Sequence, residues 1–204
     1  MEKAFDHDVL TVSIAQLSAW HRLVMGALVC ERLVPNYCRF EEVSDWRGYA
    51  ILRSALDTVW VQIGDKRINT NQRDQMLRDC DKLVPSADEF STNAVSMAID
   101  AASSVCVLLE ALSDTSPEKI SEICTAAVDT IDMYIQRNEF ADCVVIGAVE
   151  EVAILAHPLM QTELKRQRED YQMLAATFDI SPEFIADVRR LAEERGSNLT
   201  FQQA

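Results

Sequence analysis

The sequence is poor in the residues that break helices and in the residue that most often binds transition metals. Only 5 glycines, 5 prolines and 3 histidines occur among 204 residues. So few glycines and prolines exclude collagen-like and disordered chains and predict a fold with few tight turns. Because hydrophobic residues make up 49% of the chain, we expect long helices packed around a sizeable core.

Sequence signatures of catalysis and cofactor binding are also missing. The chain has no H-E-x-x-H, paired C-x-x-C, G-x-S-x-G, Walker A or G-x-G-x-x-G pattern, which are the common zinc, hydrolase and nucleotide signatures. A di-iron centre in a helical bundle needs Glu-x-x-His, and no histidine follows a glutamate at that spacing. We therefore expect no metal and no cofactor. A non-catalytic protein is favoured, although an enzyme stays open.

Basic residues are outnumbered, with 19 Lys and Arg against 33 Asp and Glu, for a formal net charge of −14. This charge repels polyanions, so we expect no nucleic acid as a partner. The first residues show no basic segment followed by an apolar one, and no apolar run reaches the roughly 18 residues that a membrane span needs. We expect a cytoplasmic protein that does not bind membranes.

The six cysteines are spaced without any C-x-x-C pair. They are Cys30, Cys38, Cys80, Cys106, Cys124 and Cys143. Several fall on apolar helical stripes, where a free thiol behaves as a small hydrophobic side chain. We interpret them as reduced core residues. A thiol-based sensor that uses Cys30 and Cys38 is the alternative.

One stretch, from Ser13 to Pro35, organises the rest of the chain. Its middle, LSAWHRLVMGALVC from Leu17 to Cys30, is apolar on nearly all sides, which is typical of a helix buried among other helices. Ser13 is the expected cap, and Pro35 is expected to end the helix. We predict that this first helix is the centre of a bundle.

The remaining chain shows the 3.6-residue repeat of amphipathic helices in most of its long segments. We predict an all-α fold, a single-domain helical bundle of about seven to eight helices over residues 1–204, with a buried first helix. Ser44 and Gly64 are expected to bound the second helix, and Ser181 and Gly196 the last. The helix at 159–176 is expected to bury a narrow apolar stripe and to keep its charged residues solvated. Its predicted buried residues are Met160, Leu164, Tyr171, Leu174 and Ala175.

Polar residues follow the buried part of the central stretch. Glu31, Arg32, Asn36 and Tyr37 lie there within seven positions, and a carboxylate at such a place can have a perturbed pKa. They are the candidate ligand-binding residues if the protein is a small-molecule-binding protein or an enzyme. The alternative interpretation is purely structural, with Glu31 and Arg32 forming an ion pair at a helix end.

Residues 142–160 are the candidate interface. Read as a helix, this segment carries apolar residues over an arc wider than the roughly 100° that faces one core. The excess apolar surface must be buried by neighbouring helices or by another chain. We expect protein–protein interaction, as self-association or with another protein, and Val145, Val149, Val152 and Met160 are the candidate contact residues.

Four segments resemble one known family. They are CERLVPNYCRF (Cys30–Phe40), PSADEF (Pro85–Phe90), AIDAA (Ala98–Ala102) and SNLTFQQ (Ser197–Gln203). Together they resemble the YjaG-like family of small bacterial proteins, which is classed as a domain of unknown function. The resemblance implies an all-helical, cytosolic, single-domain protein and brings no catalytic residues. The chain departs from the family pattern at 138–156, where more charge is expected.

Overall fold

The structure is a computed structural model that describes residues 7–139 and 148–199, with the side chains of 148–150 left aside. Its described part forms nine α-helices, one turn of 3₁₀ helix at Ala87–Glu89 and no β-strand. The helices are α1 (His7–Ala15), α2 (Ala19–Glu42), α3 (Tyr49–Gly64), α4 (Thr70–Asp81), α5 (Ala94–Ala111), α6 (Pro117–Glu139), α7 (Ala148–Ala156), α8 (Pro158–Ala176) and α9 (Pro182–Arg195). The predicted all-α fold is confirmed.

Helix α2 is the centre of the bundle. It packs against α3, α5, α6, α8 and α9, and every residue from Leu23 to Val34 is buried. A Cβ added at Gly26 would lie 3.0 Å from Leu108 Cδ1 and 3.1 Å from Ile120 Cδ1. Glycine at this position therefore lets α5 and α6 approach the α2 backbone closely. The predicted buried hub is confirmed.

The predicted ends of that hub helix are wrong. A separate short helix, α1, ends at Ala15, and Ser18 caps α2 by accepting a hydrogen bond from the His21 N–H. The helix then runs through Pro35 to Glu42. Pro35 cannot donate a backbone hydrogen bond to the Glu31 carbonyl, but packing against neighbouring helices outweighs that loss, as it does for most helices in proteins.

Helix α3 begins in a way that the sequence did not indicate. Ser44, the predicted cap, donates instead to the Phe40 carbonyl, and the Glu41 carboxylate accepts from the backbone N–H groups of Gly48 and Tyr49. A carboxylate at a helix N-terminus satisfies unpaired donors and complements the helix dipole. The end of α3 at Gly64, the Ser181 cap of α9 and its Gly196 stop agree with prediction.

Helix α5 is long and apolar enough to cross a bilayer by length and composition, but 67% of it is buried inside the protein. It packs between α2, α4 and α6. Alanines at positions 98, 101 and 102 are fully buried, and such small side chains permit close helix packing. The segment is therefore a core helix of the bundle.

Helix α8 buries a different stripe from the predicted one. Its buried residues are Met160, Glu163, Gln167, Asp170 and Leu174, spaced three and four positions apart along one helix face. The predicted stripe members Leu164 and Tyr171 are only partly buried, and Ala175 is exposed. The prediction was right for Met160 and Leu174 and wrong for the other three positions, because acidic and amide side chains occupy core positions of this helix. Such side chains need buried partners.

Candidate functional site on helix α2

The four candidate ligand-binding residues lie on either side of Pro35, and all four are buried. A helix turns by about 100° per residue, so Arg32 and Asn36, four positions apart, share one face of α2, whereas Glu31 and Tyr37 leave the helix in other directions. Each one contacts a different neighbouring part of the chain. The structure therefore does not bring the four side chains into one pocket.

Arg32 forms the most deeply buried ion pairs that the structure describes. Its Nη1 lies 2.6 Å from Asp170 Oδ2, and its Nε donates to Glu163 Oε1 at 3.2 Å. All three side chains are at most 2% exposed. Arg195 adds a second cation at 3.3 Å from Asp170 Oδ1. Two arginines and two carboxylates thus meet where α2, α8 and α9 join. A third cation lies near them, since burial lowers the pKa of Arg166 and the charges of Arg32 and Arg195 lower it further.

Glu31 takes part in a second set of ion pairs, which lies between α2, α3 and α9. The carboxylate accepts from both terminal nitrogens of Arg53 and from Trp60 Nε1, which is 2.6 Å from Oε1. Arg53 also pairs with Asp57, and Asp57 pairs with Arg189 of α9. These contacts occupy both Glu31 oxygens, so the group is a structural acceptor in this conformation.

Asn36 holds the C-terminal segment Ser197–Leu199, which we call the C-terminal strap. Its Nδ2 donates to Asn198 Oδ1 at 2.9 Å, and its Oδ1 accepts from Ser197 Oγ at 2.6 Å. Asn198 also donates from its backbone N–H to the Arg32 carbonyl at 3.2 Å and from Nδ2 to the Ala127 carbonyl at 3.1 Å. The strap thus joins α2 to α6.

Tyr37 connects α2 to the start of α3 and the end of α4. Its hydroxyl donates to the Leu83 carbonyl at 2.8 Å and accepts from Trp46 Nε1 at 2.7 Å. Burial raises the pKa of Tyr37 to about 12, because the phenolate would lose its hydration. The hydroxyl therefore stays protonated at neutral pH and serves as a hydrogen-bonding group.

Three of the four segments that carry the family resemblance meet here. The strap consists of the first three residues of SNLTFQQ, which are the part of that segment that the structure describes. It is hydrogen-bonded to Asn36 and Arg32 of CERLVPNYCRF. Phe90 of PSADEF packs edge-on against Phe40, with ring centroids 4.9 Å apart. Residues 10–201 match the family described as "Protein of unknown function (DUF416)". The chain belongs to the DUF416 family.

Several relatives and a solved structure are similar to this protein over nearly the whole chain. The uncharacterized protein YjaG of Escherichia coli K12 is 26% identical over 196 residues, 93% of this chain and 95% of the relative. YjaG of Salmonella typhimurium is 25% identical over the same shares. A crystal structure of a DUF416 family protein from Shewanella baltica matches with a TM-score of 0.84 at 24% identity, covering 97% of both chains. That likeness shows the fold.

In this DUF416 protein, two larger cavities bordered by described residues lie away from the four candidate residues, and one small void touches Arg32. Arg32 and Asp170 border a cavity of about 10 Å³, room for a single water at most. A cavity of about 550 Å³ lies where α2 and α6 end and α5 begins, in the size range of small-molecule sites. Its lining includes Arg39, Asn93, Met97, Met133 and Arg137. Ligand binding at Glu31, Arg32, Asn36 and Tyr37 stays a prediction.

The candidate interface residues are placed only in part. Val145 lies outside the described residues, and the Val149 side chain does as well. Val152 on α7 is 66% exposed, whereas Met160 on α8 is buried in the hydrophobic core. Val152 is thus available for a contact with another chain, and Met160 contributes to the protein's own core. The interface hypothesis for this segment stays a prediction.

The five described cysteines, all but Cys143, are free thiols. Burial raises the pKa of Cys30 well above its ordinary value, and burial with the nearby carboxylates Glu42 and Glu41 raises the pKa of Cys38. A raised thiol pKa lowers the thiolate fraction that reacts with oxidants. The described geometry therefore gives no support to a sensor built from these two residues.

Asp100 is a carboxylate in α5 that the sequence did not single out, although AIDAA contains it. Thr130 donates to its Oδ2 at 2.7 Å, and it borders a cavity of about 410 Å³ between α1, α5 and α6. Burial raises the Asp100 pKa from 3.8 to about 6, with a further increase from Asp129. The folded protein therefore binds a proton here more tightly than the unfolded chain.

Replacing Asp100 by asparagine is expected to stabilise the protein at neutral pH only. Because the folded-state pKa is raised, the stability from protonated Asp100 is complete below the unfolded pKa of 3.8 and is lost as pH rises through about 6. We expect Asp100→Asn to gain about 1–2 kcal/mol at about pH 7.5 and little at about pH 4. Denaturant unfolding at both pH values measures this. Glu122→Gln, an exposed position on the same cavity, is the control, and an equal gain at both pH values would contradict the argument.

Proposed function

We propose that this protein is a non-catalytic cytosolic protein that acts by protein–protein interaction, and first of all by binding a second copy of itself. The candidate ligand-binding side chains already form hydrogen bonds and ion pairs within the fold; they are those of Glu31, Arg32, Asn36 and Tyr37. These contacts stabilise the folded protein. The surface is therefore the better candidate for function.

Phe178 is the observation that carries this proposal. It lies between α8 and α9 and is 100% exposed. A large apolar side chain loses roughly 1.5–3 kcal/mol of burial energy when it is left in water, and aromatic residues are frequent anchors of protein interfaces. Its neighbour Asp179 pairs with Lys66 at 2.9 Å, so Phe178 lies beside the C-terminal end of α3. Val61 near that end is also 57% exposed.

Charge and thiol state support a cytosolic protein with such a contact. A net charge of −14 keeps the protein soluble and makes copies repel each other at long range. A contact between copies therefore favours a surface without acidic side chains. The described cysteines are unpaired, as expected in a reducing compartment.

The mass of the untagged protein in solution tests the proposal. We expect sedimentation velocity over a dilution series from about 1 to about 100 micromolar to show reversible growth from the 23.0 kDa chain toward twice that mass, because a modest interface gives a concentration-dependent dimer. A mass of one chain at every concentration would overturn self-association.

A further inference from the structure

The cavity of about 550 Å³ where α2 and α6 end and α5 begins combines apolar and basic lining residues. Its apolar lining includes Met97 and Met133, together with Val43 and Ala94. Methionine side chains adapt to ligands of different shape. The polar lining includes two arginines. Small-molecule sites in proteins usually have this composition, an apolar lining with a few polar groups that fix the ligand's orientation.

Arg137 of α6 is held at this cavity by one of its nitrogens. Its Nη1 donates to the Asn93 carbonyl and to Ser96 Oγ, both at 3.0 Å, and both partners also line the cavity. Among residues 7–139 and 148–199, its Nε and Nη2 have no hydrogen-bond partner, and no carboxylate forms an ion pair with it. A guanidinium fixed in this way keeps donors in a planar fork that matches a carboxylate.

The other charged side chains of the lining are already engaged within the fold. Arg39 forms an ion pair with Glu42 at 2.7 Å, and Glu139 Oε1 lies 3.0 Å from His157 Nε2. In the part of the chain that the structure describes, Arg137 is therefore the lining charge without a charged partner. One such positive charge suits a monoanion, such as a carboxylate, better than a phosphate dianion.

The beginning of α5 adds a second attraction for an anion at the same cavity. Thr92 Oγ1 accepts from the Ala94 N–H at 3.2 Å, but the Asn93 side chain makes no capping hydrogen bond, and the described first turn of α5 contains no acidic residue. Unpaired N–H groups give a helix N-terminus a partial positive charge. This charge reinforces the binding of an anion that Arg137 holds.

We propose that this cavity binds a small organic carboxylate with an apolar body, a role that goes beyond the interaction proposed above. The carboxylate contacts the Arg137 guanidinium and the first turn of α5, and the apolar body packs against Met97 and Met133. The net charge of −14 repels anions at long range, so binding depends on these local donors. Phe178 does not line the cavity, so the failure of either proposal leaves the other standing.

Two fluorescent probes that differ in charge test the site. Anilinonaphthalene sulfonate has one negative charge on an apolar body, and its sulfonate stands in for the carboxylate. Phenylnaphthylamine has nearly the same body without the charge. We expect the sulfonate to bind at one site with a Kd of roughly 10–100 micromolar, which the usual ligand efficiency gives for a molecule of this size. Naphthoate should displace it, whereas inorganic phosphate, which lacks an apolar body, should not.

Two variants test whether the sulfonate binds at this cavity. Arg137→Met removes the anion's partner, and Val43→Glu adds a negative charge to the lining at a residue that is 47% exposed. We expect each to weaken sulfonate binding about tenfold or more, the effect of losing a charge-assisted hydrogen bond. Arg137→Met should change the affinity for the neutral probe less than about twofold. Arg168→Met and Val12→Glu, at exposed positions outside the lining, are the matched controls and should bind like the wild type.

Four results would overturn the proposal. They are a wild type without saturable sulfonate binding, displacement by inorganic phosphate as strong as by naphthoate, a Val43→Glu variant that binds the sulfonate like the wild type, and a folded Arg137→Met variant that loses both probes to the same degree. The last would show an apolar cavity without anion recognition. Circular dichroism checks the fold of each variant. If Arg137→Met does not fold, Val43→Glu decides.

Discussion

Replacing Arg32 by methionine is expected to lower the free energy of unfolding by roughly 3–5 kcal/mol, because it leaves buried carboxylates without their main cation. Glu163 and Asp170 are 1% and 2% exposed, so water cannot replace the guanidinium. Such a loss is a large part of the roughly 5–15 kcal/mol that stabilises a typical domain. For a chain of this length it corresponds to a fall in Tm of roughly 10 °C, measured by circular dichroism.

Neutral partners should reverse most of this loss. In the combined variant Arg32→Met, Glu163→Gln, Asp170→Asn, no uncompensated charge is left in the core, and such replacements of buried ion pairs are often tolerated. Its Tm should therefore lie above that of Arg32→Met alone. Arg168→Met, at an exposed position of α8, controls for loss of an arginine. An Arg32→Met variant as stable as Arg168→Met would show that the ion pairs do not hold α2 to α8.

Asn198→Ala is expected to be the second most damaging change, at roughly 2–5 kcal/mol. It removes the acceptor of the Asn36 amide and the donor to the Ala127 carbonyl, and each buried group left unpaired costs about 1–3 kcal/mol. The strap would then detach from α2. Urea unfolding measures the change, and Asn71→Ala at an exposed position of α4 is the control.

A double-mutant cycle shows whether the effect passes through the described contact. If Asn36 and Asn198 act on each other, Asn36→Ala combined with Asn198→Ala should cost clearly less than the sum of the single changes. Additive losses, or a loss from Asn198→Ala below about 0.5 kcal/mol, would mean that the strap does not depend on this amide pair.

Much of the architecture could be predicted from local sequence patterns. Helical periodicity and the Ser181 and Gly196 signals depend on neighbouring residues, and the structure agrees with them. Pro35 and Ser44 misled the prediction because their usual effects are local preferences of a few kcal/mol at most. Packing around α2 outweighs the first, and the Glu41 carboxylate takes the place of the second.

The partners of the candidate site could not be predicted, because they are far apart in sequence. Arg32 and Glu163 are 131 positions apart, and Asn36 and Asn198 are 162 positions apart. Nothing local marks Glu163 as a partner of Arg32. The one available signal was that Glu163, Gln167 and Asp170 continue the three-and-four spacing of Met160 and Leu174 along α8. Polar residues at core spacing indicate buried partners elsewhere.

Light scattering of the wild type beside Phe178→Glu at about 100 micromolar tests the central claim most directly, namely that the protein binds a second copy of itself through exposed apolar surface. We predict dimers for the wild type and only monomers for the variant, because Phe178 is 100% exposed and a charge in its place would be costly to bury in a contact. A wild type that stays monomeric, or a variant that dimerises like the wild type, would contradict the account.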